Sequence, residues 1–229
     1  MSSATASPGA GLPLRQTEHP RAMLPGRLLA RLLSRGVYSL RVHGRQHVPA
    51  TGPVILAINH RNILDGPVVF GACPRRARFL VKAEMFNGPL GSALRQAGQI
   101  PIRRGTPDRA ALMTCLNWLR RGEVLGVFPE GTRGVGDFGN TRDGLTWLAL
   151  RGRAPVVPVV CFGIAESMRG RRTPKLRSKV DVVFGAPFDV SADGDRASRR
   201  VLALAGEQVR ARLVEHYTAA AQVVGSSSA

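Results

Sequence analysis

The chain has 229 residues, which is enough for one or two domains, and we expect one. Its 33 basic and 15 acidic residues give a formal net charge of +18 and a sequence pI near 11.6. A hydrophobic content of 44% argues against a disordered chain, three cysteines without a C-x-x-C pair argue against a disulfide scaffold, and the lack of an apolar stretch of about 18 residues argues against an integral membrane protein.

The excess positive charge predicts a polyanionic partner, which could be nucleic acid, anionic lipid or a phosphorylated substrate. Thirty of the 33 basic residues are arginines, so a compositional bias toward arginine explains the surplus equally well. A nucleic-acid surface would need aromatic side chains among the basic ones, yet aromatics make up only 5% of the chain. We therefore expect no nucleic-acid partner.

The N-terminal region divides into two parts. Residues 1–20 are rich in Ser, Ala, Gly and Pro and predict a disordered tail, without the pattern of a signal peptide. Residues 21–40 form a predicted amphipathic helix, in which leucines recur at helical spacing with interleaved arginines. Such a helix fits a membrane surface, where arginine pairs with lipid phosphate. The alternative is an ordinary helix packed on the domain with solvated arginines.

Strand and helix patterns alternate through the rest of a single domain, which we place at 21–224, ahead of a disordered tail at 225–229. The predicted strands cover 53–58, 78–81, 99–102, 124–128, 156–162 and 179–184, the last alternating like a half-exposed edge strand. The predicted helices cover 66–72, 89–97, 107–121, 142–151 and 195–223. This order predicts an α/β fold with a mixed, largely parallel sheet covered by helices.

A histidine and an aspartate follow the buried strand 53–58, at the sheet edge where ligands bind in α/β folds. His60 and Asp65 cannot share a helix face, but in a turn that enters a helix their side chains can meet. The carboxylate would then fix the imidazole tautomer, so that the other ring nitrogen can accept a proton. The alternative is a helix-capping aspartate beside an incidental surface histidine.

Two further loops carry candidate substrate-binding groups. Phe128-Pro129-Glu130-Gly131-Thr132-Arg133 follows a second buried strand, and its Pro and Gly force a sharp turn. That turn brings free backbone amides next to a guanidinium, which is a natural phosphate clamp. The alternative is a plain loop with a surface Glu–Arg pair. Gly98 to Arg104 is a short strand closed by two arginines.

These sites, in this order, resemble the glycerolipid acyltransferase family, specifically the 1-acylglycerol-3-phosphate acyltransferases. Asn59-His60 with Asp65 matches the family motif N-H-x-x-x-x-D, Gly98 to Arg104 matches G-x-I-x-x-x-R, and Phe128 to Arg133 matches F-P-E-G-T-R. Val156-Val157-Pro158-Val159 is similar to the fourth, apolar block. The resemblance spans roughly residues 24–190 and implies a glycerol-3-phosphate acyltransferase-like fold.

The resemblance also implies a reaction and its participants. His60 would be the general base, oriented by Asp65, for acyl transfer from acyl-CoA or acyl-carrier protein to the hydroxyl of lysophosphatidic acid, giving phosphatidic acid. Arg104, Glu130, Gly131, Thr132 and Arg133 match acceptor-binding positions. Direct transfer agrees with the absence of a G-x-S-x-G nucleophile motif.

The remaining expectations concern surroundings and specificity. We expect no metal and no cofactor beyond the thioester co-substrate, and a cytoplasmic enzyme attached peripherally to the inner face of the cell membrane, on an anionic surface. The stretch after Gly134 departs from the family pattern, which leaves open another lyso-lipid or an amino-lipid as acceptor.

Overall fold

A computed structural model describes residues 23–103, 108–131, 136–139, 143–191 and 198–226. The predicted N-terminal tail at 1–20 lies outside the described residues. So do residues 227–229 of the predicted C-terminal tail, whereas residues 225 and 226 belong to the last helix.

The described residues form seven strands and seven α-helices, besides two short 3-10 turns. The strands are β1 (Tyr38–His43), β2 (Val54–Ile58), β3 (Ala77–Lys82), β4 (Ile100–Ile102), β5 (Val124–Val127), β6 (Val156–Phe162) and β7 (Ser178–Phe184). The helices are α1 (Met23–Val37), α2 (Asp65–Ala72), α3 (Gly88–Gln96), α4 (Arg109–Arg120), α5 (Asp143–Gly152), α6 (Ile164–Ser167) and α7 (Arg199–Ser226).

All seven strands belong to one sheet, in the order β1-β7-β6-β2-β5-β3-β4. Neighbouring strands run parallel except β6 and β7, which are antiparallel. Five strands, from β6 to β4, therefore end at the same edge of the sheet, and β1 and β7 begin there. The predicted α/β fold with a largely parallel sheet is confirmed.

Helices cover both faces of this sheet, which explains the continuous apolar strand β2. Alternate residues of β2 enter two separate cores, and all five are fully buried. Helix α2 packs in one core, while α4, α5 and α7 contribute side chains to the other. A strand buried on both faces has no polar positions, as expected for a parallel sheet between two helical layers.

Two predictions about the edge of the sheet were wrong. The N-terminal helix ends at Val37 rather than at residue 40, because Tyr38 begins strand β1 and pairs in register with Ser178. Strand β7 is therefore interior, between β1 and β6. Its alternation suggests a half-exposed edge strand, but Asp181 is only 2% exposed, forms an ion pair with Arg41 and accepts a hydrogen bond from His43, both of β1.

Helix α1 packs on α2 through its small and basic side, while its leucines face outward. The Arg27 guanidinium donates to the Pro74 carbonyl oxygen at 3.1 Å. A Cβ at Gly71 would lie 2.8 Å from the backbone nitrogen of Arg31, so glycine allows the backbones of α1 and α2 to approach closely. Four leucines of α1 remain 56–60% exposed: Leu28, Leu29, Leu32 and Leu33. Packing through the leucines, the ordinary way for a helix to join a core, is not what the structure shows.

Candidate active site

The candidate site lies at the sheet edge where β2, β5 and β6 end side by side. Because these strands are parallel neighbours, the loops that follow them converge. They carry His60 after β2, Glu130 after β5 and Glu166 in α6 after β6. The sequence placed the first two loops correctly, since each directly follows a continuous apolar run.

His60 and Asp65 meet in a turn that leads into helix α2. The His60 Nδ1 lies 3.4 Å from Asp65 Oδ2, and both residues are buried. The same carboxylate oxygen accepts backbone N–H groups from Arg61 at 2.8 Å and Asn62 at 2.7 Å. The two backbone hydrogen bonds are short and fix the carboxylate, and the contact with the histidine is the longest of the three.

Aromatic packing holds the imidazole from the other side. The Phe128 ring lies 4.3 Å from the His60 ring, centroid to centroid. The Phe79 ring contacts Phe128 in turn, with 6.3 Å between those two centroids. The Phe79 ring packs over Gly126 of the neighbouring strand β5, where an added Cβ would lie 2.6 Å from the ring, so glycine makes room for it. The sequence marks Phe128 only as the first letter of its motif, and its contact with His60 appears only in the fold.

Glu130 turns into the protein. Its Oε1 accepts the Phe138 backbone N–H at 3.2 Å, and the residue is 7% exposed. Burial raises the pKa of Glu130, while the hydrogen bond from Phe138 opposes that shift. Gly131 closes the turn by donating to the Phe128 carbonyl oxygen at 3.0 Å, with a φ of +69° that favours glycine.

The remaining predicted binding residues are Arg104, Thr132 and Arg133, which lie outside the described residues. The described chain reaches both segments at the site edge of the sheet, through Arg103 after β4 and Gly131 after β5.

Three contributors to the site, Asn59, Arg61 and Glu166, were not among the predicted site residues, although Asn59 is the first residue of the histidine motif. Asn59, 1% exposed, accepts the Cys161 backbone N–H at 2.8 Å and donates to the Gly136 carbonyl oxygen at 3.2 Å. It thereby joins the ends of β2 and β6 to the loop after β5. Arg61 donates to Glu166 Oε1 at 2.6 Å.

That ion pair connects the histidine turn to α6. Burial raises the pKa of Glu166, but hydrogen bonds from backbone groups and from the Arg61 guanidinium outweigh it, so the pKa lies below its ordinary value. Because the Arg61 backbone N–H holds Asp65 while its side chain holds Glu166, one residue couples the carboxylate to the neighbouring loop. A lone arginine 105 positions before its glutamate partner gives no pattern in the sequence.

The arrangement places a buried imidazole next to a fixed carboxylate at the site edge of the sheet. Among the residues that the structure describes, no group of three His, Cys, Asp or Glu side chains is placed to hold a metal ion. All three cysteines are buried free thiols, and burial raises the pKa of the Cys115 thiol to about 12. Such thiols are poor nucleophiles at neutral pH. No helix in the described ranges is long and apolar enough to cross a bilayer.

Comparison with known proteins places this geometry in a family. The acyltransferase family model matches residues 39–162, which include the histidine turn and the Phe128 turn. A 1-acyl-sn-glycerol-3-phosphate acyltransferase of Bacillus subtilis is 28% identical over 178 residues, covering 77% of this chain and 87% of that protein. An N-acylphosphatidylethanolamine synthase of Arabidopsis thaliana is 34% identical over 171 residues, covering 63% of this chain and 60% of the plant enzyme.

A solved structure agrees in fold. The crystal structure of the 1-acyl-sn-glycerophosphate (LPA) acyltransferase PlsC from Thermotoga maritima superposes with a TM-score of 0.62 at 25% identity, covering 84% of this chain and 78% of that one. Coverage of other relatives is smaller, since the chain spans 38% of a chloroplastic 1-acyl-sn-glycerol-3-phosphate acyltransferase of Arabidopsis. The family match extends over more than half of the sequence and includes the buried His–Asp pair, and the chain therefore belongs to the acyltransferase family.

Proposed function

We propose that this enzyme transfers an acyl group from a thioester, acyl-CoA or acyl-carrier protein, to the free hydroxyl of lysophosphatidic acid, giving phosphatidic acid. The observation that carries the proposal is the buried pair of His60 and Asp65, at 3.4 Å, on the sheet edge that the site loops share. The choice of lysophosphatidic acid as the acceptor is supported by the similarity to the Bacillus and Thermotoga enzymes.

The chemistry follows from the two ring nitrogens of His60. Nδ1 donates its hydrogen to Asp65, which leaves Nε2 as the acceptor for the hydroxyl proton of the lyso-lipid. As that proton leaves, the hydroxyl oxygen attacks the thioester carbonyl, and collapse of the tetrahedral intermediate expels the thiolate. The protonated imidazole then returns the proton to the thiolate, so the histidine is regenerated with each turnover.

In this proposal the acceptor phosphate is held by arginine. Arg104 and Arg133 supply forked donors suited to phosphate oxygens, and Gly131 and Thr132 directly precede Arg133 in the sequence. Glu130 contacts backbone rather than offering its charge to the site, which suits a role in shaping this loop. Holding the phosphate positions the acceptor hydroxyl at His60, so that proton transfer and attack occur within one bound complex and are effectively unimolecular.

A second acceptor class has an observation in its favour. The plant relative at 34% identity is an N-acylphosphatidylethanolamine synthase, and the same base could deprotonate an attacking amine. The deciding experiment offers the purified enzyme lysophosphatidic acid, lysophosphatidylcholine and phosphatidylethanolamine, each with acyl-CoA and with acyl-carrier protein. We expect phosphatidic acid as the main product, measured by mass spectrometry. Acylation of phosphatidylethanolamine alone would contradict the proposal in favour of the amine acceptor.

We also propose that α1 holds the enzyme on the membrane, where its acceptor resides. The exposed leucine face is on the side of α1 away from α2, and burying one leucine side chain contributes about 1.5–3 kcal/mol. The double variant Leu28→Ser/Leu32→Ser is therefore expected to bind vesicles on the order of 100-fold more weakly, as measured by co-sedimentation.

A matched variant separates this surface from general hydrophobicity. Leu204→Ser/Val223→Ser removes two exposed apolar side chains from α7, on the opposite face of the sheet, and is expected to bind as the wild type does. Equal binding by both double variants would show that α1 does not contact the membrane.

A further inference from the structure

Positive charge is concentrated in residues 168–179, which comprise the loop after α6 and the first two residues of β7; we refer to this segment as the basic loop. It contains no acidic residue and six exposed cationic side chains, namely Arg169, Arg171, Arg172, Lys175, Arg177 and Lys179. Within the described part of the chain, none of the six forms an ion pair, whereas Arg41 and Arg61 each have a carboxylate partner. Such a cluster of like charges repels itself unless an anion lies against it.

The basic loop is fixed between α1 and the candidate active site. Near its C-terminal end, the Arg177 backbone N–H donates to the carbonyl oxygen of Val37, the last residue of α1, at 2.7 Å. Two residues earlier, the Lys175 backbone N–H donates to the Ser167 carbonyl oxygen at 2.9 Å, and Ser167 is next to Glu166, the partner of Arg61. The loop therefore lies at the same sheet edge as His60.

An exposed leucine stands in the middle of this charge. Leu176 is 67% exposed, more than any other large apolar side chain in the described residues, and has Lys175 and Arg177 on either side. Its neighbour Arg177 contacts the end of α1, whose leucines are exposed as well. An apolar side chain flanked by cations fits a lipid surface, where the leucine enters the acyl boundary and the cations lie at phosphate depth.

We propose that the basic loop is a second membrane contact that binds anionic lipid headgroups and, together with α1, sets the His60 edge against the bilayer. An acidic carrier protein would also match the charge of the basic loop, but its charged surface would not bury the exposed Leu176 side chain as a lipid surface does. The proposal deepens the proposed function and rests on it only for the need to reach a lipid acceptor, because headgroup binding can be measured without acyl transfer.

The test compares two variants that remove the same charge. Arg169→Gln/Arg171→Gln/Arg172→Gln neutralises the basic loop. The control, Arg120→Gln/Arg151→Gln/Arg153→Gln, neutralises three arginines around an open cavity of about 390 Å³ at the opposite edge of the sheet. Binding is measured by co-sedimentation with vesicles of phosphatidylcholine containing phosphatidylglycerol, and with phosphatidylcholine alone.

We expect the basic-loop variant to bind the anionic vesicles on the order of 100-fold more weakly, since each cation at such a surface contributes roughly fivefold. The control should bind as the wild type does, because its arginines lie at the far edge of the sheet from the proposed membrane contact. At physiological salt, charges attract an anionic surface only within about 8 Å. Leu176→Ser should also weaken binding, by about tenfold, on both kinds of vesicle.

Two results would overturn the proposal. Equal weakening by both triple variants would show that net charge alone drives binding. Unchanged vesicle binding by the basic-loop variant, with transfer lost from acyl-carrier protein but kept from acyl-CoA, would assign the loop to an acidic protein donor. Failure of the proposed function is distinguishable from either, because it leaves the vesicle measurements intact and abolishes only the production of phosphatidic acid.

Discussion

The variant His60→Ala is expected to lower kcat for acyl transfer by about 10²–10⁴-fold, the contribution of a well-placed general base. The physical reason is that the His60 imidazole is the proton acceptor of the proposed reaction, held between the Asp65 carboxylate and the Phe128 ring. Without the imidazole, the acceptor hydroxyl must lose its proton to water. Steady-state rates with saturating acyl-CoA and lysophosphatidic acid measure the loss directly.

The control for this variant is His47, a half-buried histidine elsewhere in the fold. The His47 Nδ1–H donates to the Phe184 carbonyl oxygen at 2.8 Å, away from the site. His47→Ala should therefore keep the wild-type kcat. Thermal unfolding of both variants shows whether the fold is retained. A His60→Ala enzyme that is folded and turns over at the wild-type rate would refute the role of His60.

The variant Asp65→Asn is expected to lower kcat on the order of 10³-fold, by analogy with other His–carboxylate pairs. The amide keeps the shape of the side chain, and its oxygen can still accept from Arg61, Asn62 and His60, but it carries no negative charge. Without that charge, the side chain no longer stabilises the imidazolium that forms when His60 takes a proton. The hydrogen bonds from the two backbone N–H groups also weaken, which lowers the free energy of unfolding.

Stability and catalysis can be separated with an equally buried carboxylate. Asp181, like Asp65, is 2% exposed, but it pairs with Arg41 and His43 inside the sheet. Asp181→Asn should lower Tm and leave kcat of the folded enzyme unchanged, whereas Asp65→Asn should lower both. If the two variants lost kcat to the same extent, Asp65 would be a structural residue rather than a positioning residue for His60.

The elements that the sequence predicted well are those whose signals are local. The runs at 54–58 and 156–162 are apolar at every position, which only a strand buried on both faces tolerates, and both are strands of the sheet interior. Polar residues that break such a run mark the carboxyl end of the strand. The polar Asn59 ends the first of these runs, and Pro129 ends the apolar run of β5, so the sequence predicts the two loops that follow them at the carboxyl edge of the sheet.

The failures share a different cause, which is that the deciding partner is distant in the chain. The alternation in β7 predicted a half-exposed edge strand, because an aspartate such as Asp181 usually faces solvent. In the fold, strand β1 pairs with β7, and Arg41, 140 positions earlier in the chain, donates to the Asp181 carboxylate. The helix at the N-terminus was extended past Val37 because the pairing of Tyr38 with Ser178 leaves no local trace. The Arg61–Glu166 pair, 105 positions apart, was missed for the same reason.

By itself, the sequence determined the α/β class, the order of most elements and the residues from which a base could be formed. Hydrophobic periodicity and turn-forming residues act over a few positions and can be read directly. Only the tertiary structure decided that His60 and Asp65 meet, that the leucines of α1 face away from the core, and that the basic loop lies beside α1. Those outcomes depend on which surfaces pack together, and packing is a property of the whole fold.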